Sequence, residues 1–188
     1  MEAFFVSAAV VAVAEIGDKT QLLALMLAAR YRKPVPIIFG ILLATLANHA
    51  LAAWLGAAVA NWLGADAMRW ILGVTFIAMA GWCLIPDKAD DGPQAARKAG
   101  AFLATLVAFF LVEIGDKTQI ATIALAARFN SLAAVTAGTT CGMLLANVPV
   151  VLFGDAIARR LPLKWVRATA ALLFLLLGLA ALVMPSAP

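Results

Sequence analysis

The sequence contains one heptapeptide twice, first as Glu15-Ile16-Gly17-Asp18-Lys19-Thr20-Gln21 and again as Glu113-Ile114-Gly115-Asp116-Lys117-Thr118-Gln119. The second copy starts at position 113 and the first at position 15, an offset of 98 residues. Each copy lies within an apolar run long enough to cross a membrane. Charged side chains in the middle of a bilayer are costly and indicate a functional site. The repeat therefore predicts that the protein handles something polar inside the membrane.

Composition points to the same environment. Of the 188 residues, 65% are hydrophobic and 13% are charged, whereas soluble domains are about half apolar and roughly a quarter charged. The net charge of +4 comes from basic residues in short loops, which indicates membrane orientation rather than nucleic-acid binding. Cys83 and Cys141 lack the paired spacing of a disulfide framework or a zinc site.

Six segments meet the length of about 20 apolar residues that a spanning helix needs. We predict helices at about 3–28, 35–63, 68–85, 100–127, 132–158 and 163–184. The predicted fold class is all-α, a polytopic membrane protein with six transmembrane helices.

The repeat extends beyond the motif, because residues 27–31 resemble residues 125–129, and Gly40 matches Gly138 at the same offset. The sequence thus divides into a first three-helix repeat (1–86), a cytoplasmic linker (87–99) and a second three-helix repeat (100–188). Three is an odd number, so the second repeat enters the membrane from the opposite side. Such inverted repeats are common in secondary transporters, whose sites lie near the midplane at the repeat interface.

Basic residues predict the orientation. Ten of them fall on one side of the membrane: Arg30, Arg32, Lys33, Lys88, Arg97, Lys98, Arg159, Arg160, Lys164 and Arg167. Arg69 and Arg128 fall on the other side. Because loops rich in Lys and Arg stay in the cytoplasm, both termini are expected outside it, in a multi-pass protein of the inner (plasma) membrane.

The motif suits a cation. On a continuous helix Glu15 and Asp18 would share a face, and antiparallel packing of the two repeats would bring four carboxylates together. Anions crowded in a low dielectric repel one another, and lysine pairing, protonation or a bound cation relieves the repulsion. Counting both lysines, the site carries a charge of −2, which suits one divalent cation or two protons that replace it.

The predicted metal ligands are carboxylates: Glu15, Asp18, Glu113 and Asp116. The predicted supporting side chains are Gln21, Gln119, Asn48, Asn147, Thr20, Thr118, Lys19 and Lys117. Because neither motif contains Cys or His, hard oxygen ligands favour Ca²⁺, Mg²⁺ or Mn²⁺ over Zn²⁺ or copper. Gly17 and Gly115 weaken the helix locally and allow close backbone approach.

The motif alone leaves several alternatives open. Each lysine could pair with the glutamate of its own motif, a purely structural role. His49, the single histidine, is expected to hydrogen-bond a neighbour. Paired intramembrane aspartates also occur in aspartyl proteases, but an adjacent lysine would keep an aspartate ionised and spoil the shared-proton dyad. A passive channel would conduct without proton coupling.

The doubled Glu-x-Gly-Asp-Lys-Thr in a chain of two halves resembles the GDT-type divalent cation transporters, also called the second calcium:cation antiporter family. The resemblance covers essentially the whole chain and implies that the motif acids Glu15, Asp18, Glu113 and Asp116 act on the ion. The short chain resembles the bacterial branch, which implies export of Mn²⁺ from the cytoplasm by proton antiport and alternating access. A Ca²⁺/H⁺ exchanger or a broad divalent carrier is the alternative. The expected partners are a divalent metal cation and the lipid bilayer, with no enzyme activity, no cofactor and no nucleic acid.

Overall fold

The computed structural model describes residues 1–85, 100–154 and 163–183. These residues form eight α-helices. They are α1 (Glu2–Glu15), α2 (Lys19–Tyr31), α3 (Pro34–Leu63), α4 (Ala65–Cys83), α5 (Ala101–Glu113), α6 (Lys117–Phe129), α7 (Leu132–Phe153) and α8 (Leu163–Val183). The all-α class is confirmed for the described part of the chain. The predicted linker 87–99 and the end of the fifth segment beyond 154 lie outside the described residues.

Both motifs interrupt their helices, so the prediction of one continuous helix through each motif was wrong. In the first motif α1 ends at Glu15 and α2 begins at Lys19. Gly17 has φ 81° and Gly115 has φ 77°, a left-handed conformation that glycine adopts without steric cost. The aspartate that follows each glycine has an extended backbone and stands immediately before the next helix, as a helix-starting residue does.

The break changes how the acids meet. Since the helix stops between them, Glu15 and Asp18 do not share a helical face. A tight turn joins them, in which the Asp18 amide donates to the Glu15 carbonyl at 3.0 Å. The second motif has the same turn, with 3.1 Å between the Asp116 nitrogen and the Glu113 oxygen.

The helix lengths and the surface identify a multi-pass membrane protein. Within the described ranges three helices are long and apolar enough to cross a membrane: Pro34–Leu63, Leu132–Phe153 and Lys164–Val183. The two broken segments consist of half-helices of 13 or 14 residues, about 20 Å each. Large apolar side chains such as Leu51, Trp54 and Leu145 are exposed, whereas the motif carboxylates are buried. This distribution suits lipid outside and a polar site inside.

Helices of the first half pack mainly against helices of the second half: α1 on α7, α3 on α5 and α6, and α4 on α8. Gly138 and Gly142 of α7 pack directly against α1, because an added Cβ would collide with the carbonyl oxygens of Phe4 and Ala8. Small residues allow such backbone contact between membrane helices. The two helix breaks are thereby held against each other in the middle of the molecule.

Candidate metal centre

Three carboxylates converge where the two breaks meet. Glu15, Glu113 and Asp116 each offer an oxygen, and these atoms all lie within 4.8 Å of one another. Their side chains are 0%, 1% and 3% exposed. Asp18, the fourth predicted ligand, is buried nearby but is not part of this group. Carboxylates this close are compatible with one shared cation.

Two threonine hydroxyls orient the glutamates. Thr20 Oγ1 donates to Glu15 Oε2, and Thr118 Oγ1 donates to Glu113 Oε1. Among the described residues no donor reaches the remaining oxygens, Glu15 Oε1 and Glu113 Oε2, or Asp116 Oδ2. Buried oxygens without donors are costly, and a cation is the partner that would satisfy all three.

The lysines pair across the two motifs. Lys117 Nζ lies 3.1 Å from Asp18 Oδ1, and Lys19 Nζ lies 3.2 Å from Asp116 Oδ1. The two pairs differ in burial, because the side chain of Lys19 is 22% exposed and that of Lys117 is 5% exposed. Each motif therefore supplies the counter-charge for the aspartate of the other.

The glutamines support the breaks. The Gly17 amide donates to Gln21 Oε1 at 2.9 Å, and the Gly115 amide donates to Gln119 Oε1 at 2.7 Å. The side-chain oxygen of each glutamine thus accepts a hydrogen bond from a backbone amide that has no intrahelical acceptor where the helix is interrupted. Gln21 Nε2 also donates to the Ala146 carbonyl of α7, at 3.1 Å. These contacts fit the supporting role predicted for both side chains.

The two asparagines make different contacts. Asn48 Nδ2 donates to the Phe110 carbonyl at 3.0 Å, which ties α3 to α5 three residues before Glu113. Asn147 Nδ2 donates within α7, to the Met143 carbonyl at 3.0 Å, and its Oδ1 has no donor among the described residues. Asn48 therefore links α3 to the helix that carries Glu113, whereas the contact of Asn147 stays within its own helix.

His49 is the residue whose position the sequence did not predict. Its ring is fully buried, and Nε2 lies 4.0 Å from Glu113 Oε1. The expected hydrogen bond to a neighbour is not found, since neither ring nitrogen has a hydrogen-bond partner among the described residues. The available signal was its place beside Asn48, already singled out as a site residue.

Charge and helix ends both favour a cation here. The cross-pairs neutralise the two aspartates, so the ionised glutamates leave a charge of −2. Both glutamates are the last residues of their helices, where the partial negative charge of the helix end attracts cations. The centre can therefore hold one doubly charged ion.

Comparison with known proteins agrees with this chemistry. The family model described as "Divalent cation/proton antiporter GDT1" matches residues 3–91 and 101–187. The chain belongs to the GDT1 family. Both motifs of the GDT1 chain lie inside the matched ranges, which confirms the resemblance drawn from them.

Relatives of this GDT1 protein span bacteria and plants. A Vibrio cholerae protein named "Putative manganese exporter" is 58% identical over 181 residues, which cover 96% of this chain and 90% of the relative. The rice "GDT1-like protein 4" is 29% identical over 200 residues, covering 93% of this chain and 70% of the relative. The rice "GDT1-like protein 3" is 26% identical over a similar range. No solved structure matches the chain significantly.

Proposed function

We propose that this GDT1 protein exports Mn²⁺ from the cytoplasm across the inner membrane, in exchange for protons, by alternating access. In this proposal the chain crosses the membrane six times as two inverted three-helix repeats, residues 1–86 and 100–188. The 87–99 linker is cytoplasmic, and both termini lie outside the cytoplasm.

The observation that carries the proposal is the buried cluster of Glu15, Glu113 and Asp116 at the meeting point of two broken helices. Broken helices at mid-membrane are where secondary transporters bind ions. The ligand oxygens suit Mn²⁺, Ca²⁺ or Mg²⁺, and the name of the bacterial relative favours manganese among them.

Protons replace the ion through the same carboxylates. With Mn²⁺ bound, Glu15 and Glu113 are ionised and neutralise its two charges. After release, one proton on each glutamate restores neutrality in the low-dielectric interior. An exchange of two protons for one divalent ion keeps the charge of the site constant through the cycle.

The test is ion-selective flux in proteoliposomes, measured with and without a pH gradient. We expect Mn²⁺ accumulation that rises with the gradient, and its loss in Glu15→Gln and in Asp116→Asn. Matched controls are the exposed carboxylates Glu2→Gln and Asp66→Asn, which are expected to transport like the wild type.

The outcomes separate the alternatives. Ca²⁺ flux that exceeds Mn²⁺ flux would make the protein a Ca²⁺/H⁺ exchanger, and equal flux would make it a broad divalent carrier. Conduction that ignores the pH gradient would contradict antiport and indicate a channel. Wild-type flux in Glu15→Gln, with the protein inserted, would remove the cluster from the mechanism.

A further inference from the structure

His49 is a buried polar side chain aimed at the carboxylate cluster. It is 0% exposed, and no hydrogen-bond partner among the described residues reaches either ring nitrogen. Burial of a polar group without a partner costs free energy, so buried histidines are normally hydrogen-bonded. The position therefore calls for a partner beyond the described side chains.

The distance between His49 and Glu113 is compatible with both side chains binding one metal ion. Nε2 of His49 and Oε1 of Glu113 are 4.0 Å apart. Two ligands of one ion with bonds of about 2.2 Å lie about 3 Å apart when adjacent and about 4.4 Å apart when opposite. The observed separation from Glu113 falls inside that span. His49 does not belong to the group of three carboxylates whose oxygens lie within 4.8 Å of one another, so binding of one ion by all four residues requires the ring and the carboxylates to close in on it.

The ring is held on the side of the second motif. Asn48, the preceding residue of α3, donates to the Phe110 carbonyl of α5, which fixes α3 against the helix that ends at Glu113. The corresponding position in α7 is Val148, after the matching Leu-Ala-Asn. A single imidazole therefore breaks the symmetry of an otherwise doubled site.

We propose that His49 Nε2 is a nitrogen ligand of the transported ion and biases the site toward a first-row transition-metal ion over Ca²⁺ and Mg²⁺. Carboxylate oxygens alone suit Ca²⁺, Mg²⁺ and Mn²⁺, whereas imidazole nitrogen suits transition metals. A mixed set of carboxylates and one imidazole thus disfavours the hard alkaline-earth ions. This inference rests on the proposed function, because it concerns the ion that the cluster carries.

Pulsed electron paramagnetic resonance of Mn²⁺ bound to the purified protein tests the ligand directly. His49 is the only histidine of the chain, so with a purification tag free of histidine any histidine nitrogen signal comes from this residue. We expect a ¹⁴N modulation that changes to the ¹⁵N pattern after labelling with ¹⁵N-histidine. Bound Mn²⁺ whose spectrum does not respond to the label overturns the proposal and leaves manganese transport standing. Failure to bind Mn²⁺ at all contradicts the proposed function itself.

Competition binding tests the selectivity. His49→Val, which copies the residue of the second half, is expected to weaken Mn²⁺ binding by about tenfold or more and to leave Ca²⁺ binding within about twofold. An equal loss for both ions indicates a structural role and overturns the selectivity. The control is Ser7→Ala, a buried hydroxyl of α1 two helical turns before Glu15, which is expected to keep both affinities. The labelling experiment uses the wild-type protein and stands even if His49→Val does not fold.

Discussion

Thr118 restrains one of the two buried glutamates. Its hydroxyl donates to Glu113 Oε1, inside a centre where other carboxylate oxygens lack donors. We expect Thr118→Val to weaken Mn²⁺ binding by about tenfold or more, because groups that orient a ligand have effects of this size. Thr118→Ser keeps the hydroxyl and should retain most of the affinity. Titration of free Mn²⁺ by its resonance signal measures both variants, and equal affinities for Val and Ser would show that the hydrogen bond is dispensable.

The ion pairs between the motifs predict an asymmetry in stability. Lys117→Met removes the lysine that pairs with the buried Asp18, and breaking a buried pair by removing one partner costs about 3–5 kcal/mol. Lys19 is more exposed than Lys117, so Lys19→Met should lower the melting temperature less. The measurement is thermal unfolding in detergent.

The double variant Asp18→Asn/Lys117→Met removes both charges of the buried pair. It is expected to recover part of the stability that Lys117→Met loses, since neither charge of the pair is then left without the other. A double variant no more stable than the single one would mean that the pair is not what holds this region.

At the scale of helices, the sequence identified the motifs and their acids but not the interruption. A run of about 26 mostly apolar residues resembles one spanning helix, and the glycine inside it indicates local weakening and close backbone approach rather than a break. Gly17 and Gly115 have a left-handed φ, and in each motif the glutamine four residues later accepts a hydrogen bond from the glycine amide. Likewise, the Lys19–Asp116 pair and the approach of His49 to Glu113 are contacts between distant segments, which spacing along one helix does not encode.

Gly115 tests the interruption itself. An added Cβ there would meet nothing within 4 Å, while φ is +77°, so Gly115→Ala changes only backbone strain. We expect a destabilisation of about 1–2 kcal/mol and reduced Mn²⁺ transport, with a smaller effect for Asn, which tolerates this conformation better. Gly81→Ala in α4, which also has open space around it, should be neutral or stabilising. Equal behaviour of the two alanine variants would contradict a required left-handed turn.

At the scale of the whole molecule, the two halves depend on each other for burial. Helix α1 packs on α7 and α4 packs on α8, and Phe76 of α4 stacks on Phe174 of α8 with 6.2 Å between ring centroids. A chain cut within residues 87–99 should therefore still assemble when both halves are expressed together, and neither half should be stable alone. Co-purification through a tag on one half measures this.

A substitution at the α1–α7 contact provides the control for that experiment. Gly142→Leu should abolish co-purification, because a side chain there meets the Ala8 carbonyl. Recovery of a folded single half would show that the halves are independent units.

An unbroken helix tilts as a rod or must sacrifice hydrogen bonds to bend. In this protein the helical hydrogen bonds already stop between Glu15 and Lys19 and again between Glu113 and Lys117. The two half-helices at each such joint can therefore pivot while the glycine amide stays hydrogen-bonded to a glutamine. A swing of α2 or α6 would carry the aspartate and the lysine of one motif away from their partners in the other motif, while the glutamate across the joint stays in place. One movement would then both open a path for the ion and separate the side chains that bind it.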